Sequence, residues 1–131
     1  MMKKILVVDD QPDIRKLMRL TLGWRYQVSE AANAEEASAS VAAFRPDLVL
    51  LDIMMPGVNG LEWCNMIKNL AGMDSMKIIF VSARGQAKDI ELGMQAGATA
   101  YITKPFSPLE LLKIVDQHLN HDESILPRQF A

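Results

Sequence analysis

Four consecutive apolar residues, Leu48 to Leu51, follow Pro46 and Asp47 and run directly into the carboxylate of Asp52. A continuous apolar run of this length predicts a strand covered by helices on both faces, as in a parallel sheet. Asp52 would then stand at the carboxyl end of a buried strand, where ligands gather in open parallel α/β sheets. Since a charge there is costly to bury, the residue calls for a functional explanation.

Strand-sized apolar segments and helical patterns alternate along the chain, and Pro, Gly and N-cap residues separate them. Five strands alternating with five helices predict an α/β fold with a doubly wound parallel sheet, because parallel neighbours need helical crossovers. The predicted strands cover Lys4–Val8, Gln27–Ala31, Leu48–Leu51, Lys77–Ser82 and about 100–103, and the predicted helices cover about 12–22, 34–44, 61–71, 87–96 and 108–119.

Polar residues follow the ends of four predicted strands. Asp9 and Asp10 come after the first strand, Asp52 after the third, and Lys104 after the fifth, while Ser82 ends the fourth. The carboxyl ends of parallel strands meet at one edge of the sheet, so we expect all five side chains to face one crevice.

Three neighbouring carboxylates would repel one another, and a bound divalent cation would remove that cost. Oxygen ligands without His or Cys favour Mg²⁺ or Mn²⁺ over zinc, and Mg²⁺ commonly also takes a phosphate oxygen. Asp52 is the candidate nucleophile, because aspartate can form an acyl phosphate. Lys104 and Ser82 would contact the phosphoryl oxygens.

At this point the chain resembles the response-regulator receiver domains of two-component signalling, the family of the chemotaxis regulator. The resemblance covers roughly residues 3–118 and rests on motifs in a fixed order. These are Val7-Val8-Asp9-Asp10, Leu51-Asp52-Ile53-Met54-Met55-Pro56 with Gly60, Val81-Ser82-Ala83, Gly97-Ala98, and Tyr101 with Lys104-Pro105-Phe106. It implies the flavodoxin-like strand order 2-1-3-4-5, for which a chemotaxis regulator is a standard example.

The resemblance also implies roles for the site residues. Asp52 would be the phosphoacceptor, and Asp10 and Asp9 would hold Mg²⁺ together with Asp52 and the backbone carbonyl of Met54. Ser82 and Lys104 would bind the phosphoryl group. Partners would be a sensor histidine kinase or a histidine phosphotransfer protein.

The resemblance further implies a conformational switch, in which Ser82 and the aromatic residue Tyr101 respond to the phosphoryl group and change partner binding nearby. The peptide bond between Lys104 and Pro105 would be cis. We expect Pro56 and Gly60 to shape a loop that leaves the acceptor exposed.

Two positions depart from the commonest pattern of the family. Gln11 stands where a third acid often follows the acidic pair, and Asn59 stands where the loop often has Asp. Neither is an expected direct ligand, so they bear on the strength of metal binding and on the phosphoryl lifetime.

The 131 residues and a net charge of -2 predict one globular domain with no overall attraction to nucleic acid or anionic membrane. We expect the receiver domain to span 1–119, with 120–131 as a tail or the start of a linker, and a stand-alone receiver rather than one arm of a transcription factor. No signal or transmembrane pattern is found, which predicts a cytoplasmic protein. We expect a monomer or a phosphorylation-dependent dimer. The lone Cys64 is predicted to be a core thiol.

Three other functions can be compared with this interpretation. An aspartate-nucleophile phosphatase would need a second acid two residues after the nucleophile, where this chain has Met54, so we expect no turnover enzyme. Nucleotide binding is disfavoured because both glycine-rich phosphate motifs are absent. A pseudo-receiver, which would act without phosphorylation, stays open as an alternative, although the five residues at the predicted edge argue against it.

Overall fold

A parallel five-stranded sheet lies at the centre of the computed structural model, which describes residues 2–70, 72–73 and 75–119. The strands of the protein, in chain order, are β1 (Lys4–Val8), β2 (Gln27–Ala31), β3 (Leu48–Leu51), β4 (Met54–Met55), β5 (Val58–Asn59), β6 (Lys77–Ser82) and β7 (Ala100–Thr103). The large sheet has the order β2-β1-β3-β6-β7, with every neighbouring pair parallel. Counted within this sheet alone, the order is 2-1-3-4-5, which confirms the predicted fold.

Five helices connect these strands. They are α1 (Pro12–Leu22), α2 (Ala34–Phe44), α3 (Gly60–Lys68), α4 (Ala87–Gln95) and α5 (Pro108–Leu119). The predicted capping box of α5 is present, because the Ser107 hydroxyl accepts a hydrogen bond from the Glu110 amide at 3.0 Å and the Glu110 carboxylate accepts one from the Ser107 amide at 3.2 Å.

The core lies on both faces of the sheet, which explains why its strands are apolar without interruption. In β1, Leu6 and Val8 belong to one buried cluster and Ile5 and Val7 to the other. The first cluster also holds residues of α2 and α3, and the second holds residues of α1 and α5. Successive side chains of a strand point to opposite faces, so each face of β1 needs its own apolar cover.

The register of the sheet brings the strand ends together. Val8 of β1 pairs with Leu51 of β3, and Ser82 of β6 pairs with Thr103 of β7. The Asp52 amide donates to the Val8 carbonyl at 3.0 Å. Residues that directly follow β1, β3 and β7 are therefore neighbours at one edge, as the strand pattern predicts.

The segment after β3 differs from the predicted simple loop. Residues 54–59 form a small antiparallel hairpin of β4 and β5, which turns at Pro56 and Gly57. Gly57 has a φ of 78°, a left-handed conformation that suits glycine. Helix α3 also ends at Lys68, earlier than predicted, with Asn69 as its C-cap.

Two remaining predictions concern Cys64 and the ends of the domain. Cys64 is buried, and its thiol donates to the Ala96 carbonyl at 3.4 Å, which confirms a core position. Burial raises the pKa of this thiol from 9.0 to about 11. The predicted tail, 120–131, lies outside the described residues. Within the described part of the chain, no helix is long and apolar enough to cross a membrane.

Candidate functional site

Three carboxylates meet where β1 and β3 end. Asp9, Asp10 and Asp52 each offer an oxygen atom within 4.8 Å of the others. Asp9 is fully buried, Asp52 is 6% exposed, and Asp10 is exposed. Charges at this separation repel by about 3 kcal/mol per pair at an effective dielectric constant near 20. The cluster therefore needs positive charge from the protein or from a bound cation.

Lys104 supplies one such charge. Its Nζ atom lies 2.8 Å from Asp9 Oδ2 and 3.3 Å from Asp52 Oδ2. Burial alone would lower the pKa of Lys104, but the hydrogen bond to Asp9 and the charges of Asp52 and Asp9 outweigh burial and raise it. Lys104 is therefore an ammonium ion that links two of the three carboxylates.

Asp9 uses both of its carboxylate oxygens within the protein. Oδ1 accepts from the Gln11 amide at 2.9 Å, and Oδ2 accepts from Lys104. Burial raises the pKa of Asp9 above its ordinary value of 3.8, although the Lys104 ammonium and the Gln11 amide act in the opposite direction. Because Asp10 is exposed, it is the member of the acidic pair that is more open to a ligand from solvent.

Asp52 lies at a cleft of about 230 Å³. The Met54 amide donates to Asp52 Oδ1 at 3.0 Å, which fixes the orientation of the carboxylate. Asp52 is less exposed than the sequence predicts, because it is a buried residue that faces solvent only where it lines the cleft. The cleft is lined by Asp10, Gln11, Asp52, Met54, Ala83 and Lys104.

Gly60 allows α3 to begin close to the acceptor strand. A Cβ atom at this position would lie 2.7 Å from Ile53 Cα and 3.1 Å from the Asp52 carbonyl oxygen. The Gly60 amide donates to the Ile53 carbonyl at 3.1 Å. The neighbouring Asn59 caps α3, because its side-chain oxygen accepts from the Leu61 amide at 2.9 Å. Gly60 and Asn59 thus shape the segment that follows Asp52.

Ser82 and Tyr101 lie beside this cluster and are joined through the backbone of Arg84. The fully buried Ser82 accepts from the Arg84 amide at 3.2 Å through its hydroxyl. The Tyr101 hydroxyl donates to the Arg84 carbonyl at 2.5 Å. Burial is the main cause that raises the pKa of Tyr101. A movement of the residue 82–84 segment would therefore reach Tyr101 directly.

Arg15 contributes to the site although no motif pointed to it, and Ala83 contributes as part of the Val81-Ser82-Ala83 motif. Arg15 Nη1 donates to the backbone carbonyl of Asp9 at 2.7 Å, and Ala83 lines the cleft. A contact to a main-chain carbonyl leaves no charge pattern in the sequence, so motif analysis could not find Arg15. Arg84 Nε lies 3.1 Å from the Met54 sulfur at the rim of the cleft. The peptide bond between Lys104 and Pro105 is cis.

A family model described as "Response regulator receiver domain" matches residues 5–116. The chain belongs to this family. The match spans the three carboxylates, Ser82, Tyr101 and Lys104, and it confirms the resemblance that implied the strand order of the sheet.

Two curated relatives of this chain have names that refer to DNA binding or to transcription. The "DNA-binding response regulator MtrA" of Mycolicibacterium smegmatis is 36% identical over 124 residues, which are 94% of this chain and 53% of that protein. The "Transcriptional regulatory protein ResD" of Bacillus subtilis is 43% identical over 110 residues, 83% of this chain and 45% of that protein. The chain therefore spans about half the length of the curated relatives it matches.

Solved structures show the same fold. The chemotaxis protein CheY4 of Vibrio cholerae has a TM-score of 0.86 at 31% identity, covering 91% of this chain and 100% of that chain. The BeF3-activated N-terminal receiver domain of RstA from Klebsiella pneumoniae has a TM-score of 0.80 at 31% identity, covering 90% of this chain and 99% of that chain.

Proposed function

We propose that this receiver domain is a phosphoacceptor switch, in which Asp52 takes a phosphoryl group from a phosphohistidine. The donor is a sensor histidine kinase or a histidine phosphotransfer protein. The observation that carries the proposal is Lys104, whose ammonium reaches Asp9 and Asp52 at the edge of a cleft that is open to solvent.

A divalent cation fits the donor set of this cleft. Carboxylate oxygens without sulfur or imidazole ligands suit Mg²⁺, and Mn²⁺ is a possible substitute. The residues that would hold it are Asp10, Asp52, Asp9 and the backbone carbonyl of Met54. Asp10 is exposed, so it can turn towards a cation without giving up a buried contact. When bound, the cation neutralises charge on the carboxylates and on the incoming phosphoryl group.

The transfer itself needs little covalent chemistry from the protein. An Asp52 oxygen forms a bond to phosphorus, the phosphorus–nitrogen bond of the phosphohistidine breaks, and the leaving imidazole keeps the electron pair and takes up a proton. Lys104 neutralises charge on the phosphoryl oxygens, and the Ser82 hydroxyl donates a hydrogen bond to one of them. Transfer in this manner produces one aspartyl phosphate and no turnover.

The phosphoryl group would then bias a conformational equilibrium. It carries a charge of about -2 and would draw the Ser82 hydroxyl towards itself, which shifts the Arg84 amide that donates to that hydroxyl. The Arg84 carbonyl also holds the Tyr101 hydroxyl, so the rearrangement changes the surface around Tyr101. We propose that downstream proteins read this surface, and that the chain itself does not bind nucleic acid.

The proposal also covers the bounds of the domain and its location in the cell. We assign 1–119 to the receiver and 120–131 to a tail or linker. The DNA-binding and transcriptional names of the relatives support a signal that is used in the cytoplasm. In these relatives the matched region is about half of the protein. We propose that the output of such a regulator lies outside the receiver domain.

Mass spectrometry of the intact protein tests the acceptor. After incubation with a small phosphodonor and Mg²⁺, the protein should gain one phosphoryl group, and a chelator should prevent the gain. Asp52→Asn should abolish the adduct, whereas Asp47→Asn, at the opposite end of β3, should retain it. An equal adduct on Asp52→Asn would refute the assignment, and no adduct on the unaltered protein would favour a pseudo-receiver.

A further inference from the structure

Arg15 bridges two parts of the protein that meet beside the carboxylates. Its Nη1 atom donates to the Asp9 carbonyl at 2.7 Å, and its Nε atom lies 3.3 Å from Glu30 Oε1 at the end of β2. The other oxygen of Glu30 lies 2.9 Å from Arg19 Nε. The Arg15 side chain is 18% exposed, compared with 45% for Arg19. Arg15 is therefore held at both ends of its guanidinium.

The carbonyl that Arg15 holds belongs to the peptide group between Asp9 and Asp10. This group is planar, so fixing its oxygen also fixes the direction of the Asp10 amide and limits where the Asp10 side chain can go. The rest of Asp9 is already fixed, because its amide donates to the Ala31 carbonyl at 3.1 Å and its carboxylate bonds to Gln11 and Lys104. Of these contacts, only the hydrogen bond from Arg15 is made to the peptide group that joins Asp9 to Asp10.

We propose that Arg15 is a positioning residue for the divalent-cation site. Its guanidinium, anchored on Glu30, holds the Asp9–Asp10 peptide so that Asp10 and Asp52 present their oxygens to the same cation. The inference rests on the proposed function, since it assigns a role towards the cation that the function requires. A lysine could not replace the guanidinium, because a single ammonium cannot hold a carbonyl and a carboxylate in a fixed fork.

The positive charge of Arg15 and its hydrogen bond to the Asp9 carbonyl should have opposite effects on the affinity for Mg²⁺. Arg15 is a positive charge close to the acidic cluster and therefore opposes cation binding. If only its charge mattered, Arg15→Ala would bind Mg²⁺ more tightly than the unaltered protein. If Arg15 positions Asp10, the same variant would bind Mg²⁺ more weakly.

The experiment is a calorimetric titration of the protein with Mg²⁺ and no phosphodonor. Loss of a residue that orients a metal ligand typically weakens metal affinity by about 10–100-fold, and we expect Arg15→Ala to lie in this range. Arg15→Lys should also be weaker than the unaltered protein, by a smaller factor. Arg19→Ala is the matched control, because it removes a charge and a bond to Glu30 but has no contact with Asp9; it should keep its affinity.

Thermal unfolding without Mg²⁺ shows whether each variant is folded. An Arg15→Ala affinity within about twofold of the unaltered protein, or tighter, would overturn the inference. If Arg15→Ala does not fold, Arg15→Lys is measured in its place. An Mg²⁺ affinity of Arg15→Lys equal to that of the unaltered protein would overturn the inference as well. Failure of the proposed function is a different result, since the unaltered protein would then bind no Mg²⁺ or gain no phosphoryl group.

Discussion

Gly60→Ala should disturb the acceptor strand through a single added methyl group. The new Cβ would lie 2.7 Å from Ile53 Cα and 3.0 Å from the Ile53 carbonyl oxygen. Carbon atoms in ordinary contact are separated by about 3.5–4.0 Å, so the overlap with Ile53 approaches 1 Å. The clashing atoms belong to the backbone and cannot turn away as a side chain would. Relief requires a shift of α3 or of the segment that carries Asp52.

Two effects decide the size of the stability change. Overpacking of this kind costs about 1–3 kcal/mol. Alanine favours helix over glycine by at most about 1 kcal/mol, and by less at the first position of α3. The free energy of unfolding should therefore fall by about 1–2 kcal/mol. At about 2.1 cal/mol/K of unfolding entropy per residue, a chain of 131 residues should then melt about 4–7 °C lower.

Function should suffer beyond the loss of stability. The Met54 amide that orients Asp52 belongs to the same peptide group as the clashing Ile53 carbonyl. A displacement approaching 1 Å at a reacting group can slow a reaction by about 100-fold. Thermal unfolding by circular dichroism gives the stability, and the rate of phosphorylation by a small phosphodonor gives the effect on the acceptor.

Gly57→Ala is the matched control in the same segment. Its Cβ would contact nothing within 4 Å, but its φ of 78° strains alanine by about 1–2 kcal/mol. It should lower the melting temperature to a similar extent and leave the phosphorylation rate unchanged. A Gly60→Ala protein with the melting temperature and rate of the unaltered protein would refute the steric argument, and equal rates in both variants would refute the link to Asp52.

Two further predictions concern charge and burial. Lys104→Met leaves Asp9 and Asp52 without their ammonium, so without Mg²⁺ the free energy of unfolding in urea should fall by up to about 3 kcal/mol. Mg²⁺ should bind more tightly and phosphorylation should be slower; weaker Mg²⁺ binding would contradict this. The pKa of Cys64 rises from 9.0 unfolded to about 11, so its stabilising contribution is present below pH 9.0 and is lost as the pH rises through about 11. Native Cys64 should alkylate slowly at neutral pH and faster as the pH approaches about 11, and rapid neutral alkylation would show that the thiol is accessible.

The sequence determined the fold and the type of site. Apolar runs such as Leu48–Leu51 predict strands buried on two faces, because neither face of such a strand can meet water. Alternation with capped helices makes the sheet parallel, and a parallel sheet brings all strand ends of one kind to one edge. Asp9, Asp52 and Lys104 could therefore be grouped from their positions after strands, without coordinates.

Tertiary structure decided what each of these side chains does at that edge. Asp9 Oδ2 bonds to Lys104, and Asp9 Oδ1 bonds to the Gln11 amide. This division depends on the packing that brings Lys104 Nζ to 2.8 Å from Asp9 Oδ2. The carbonyl contact of Arg15 and the close approach at Gly60 involve main-chain atoms, which every residue has. Sequence patterns record side-chain character and spacing, so contacts made by the backbone become visible only when the chain is folded.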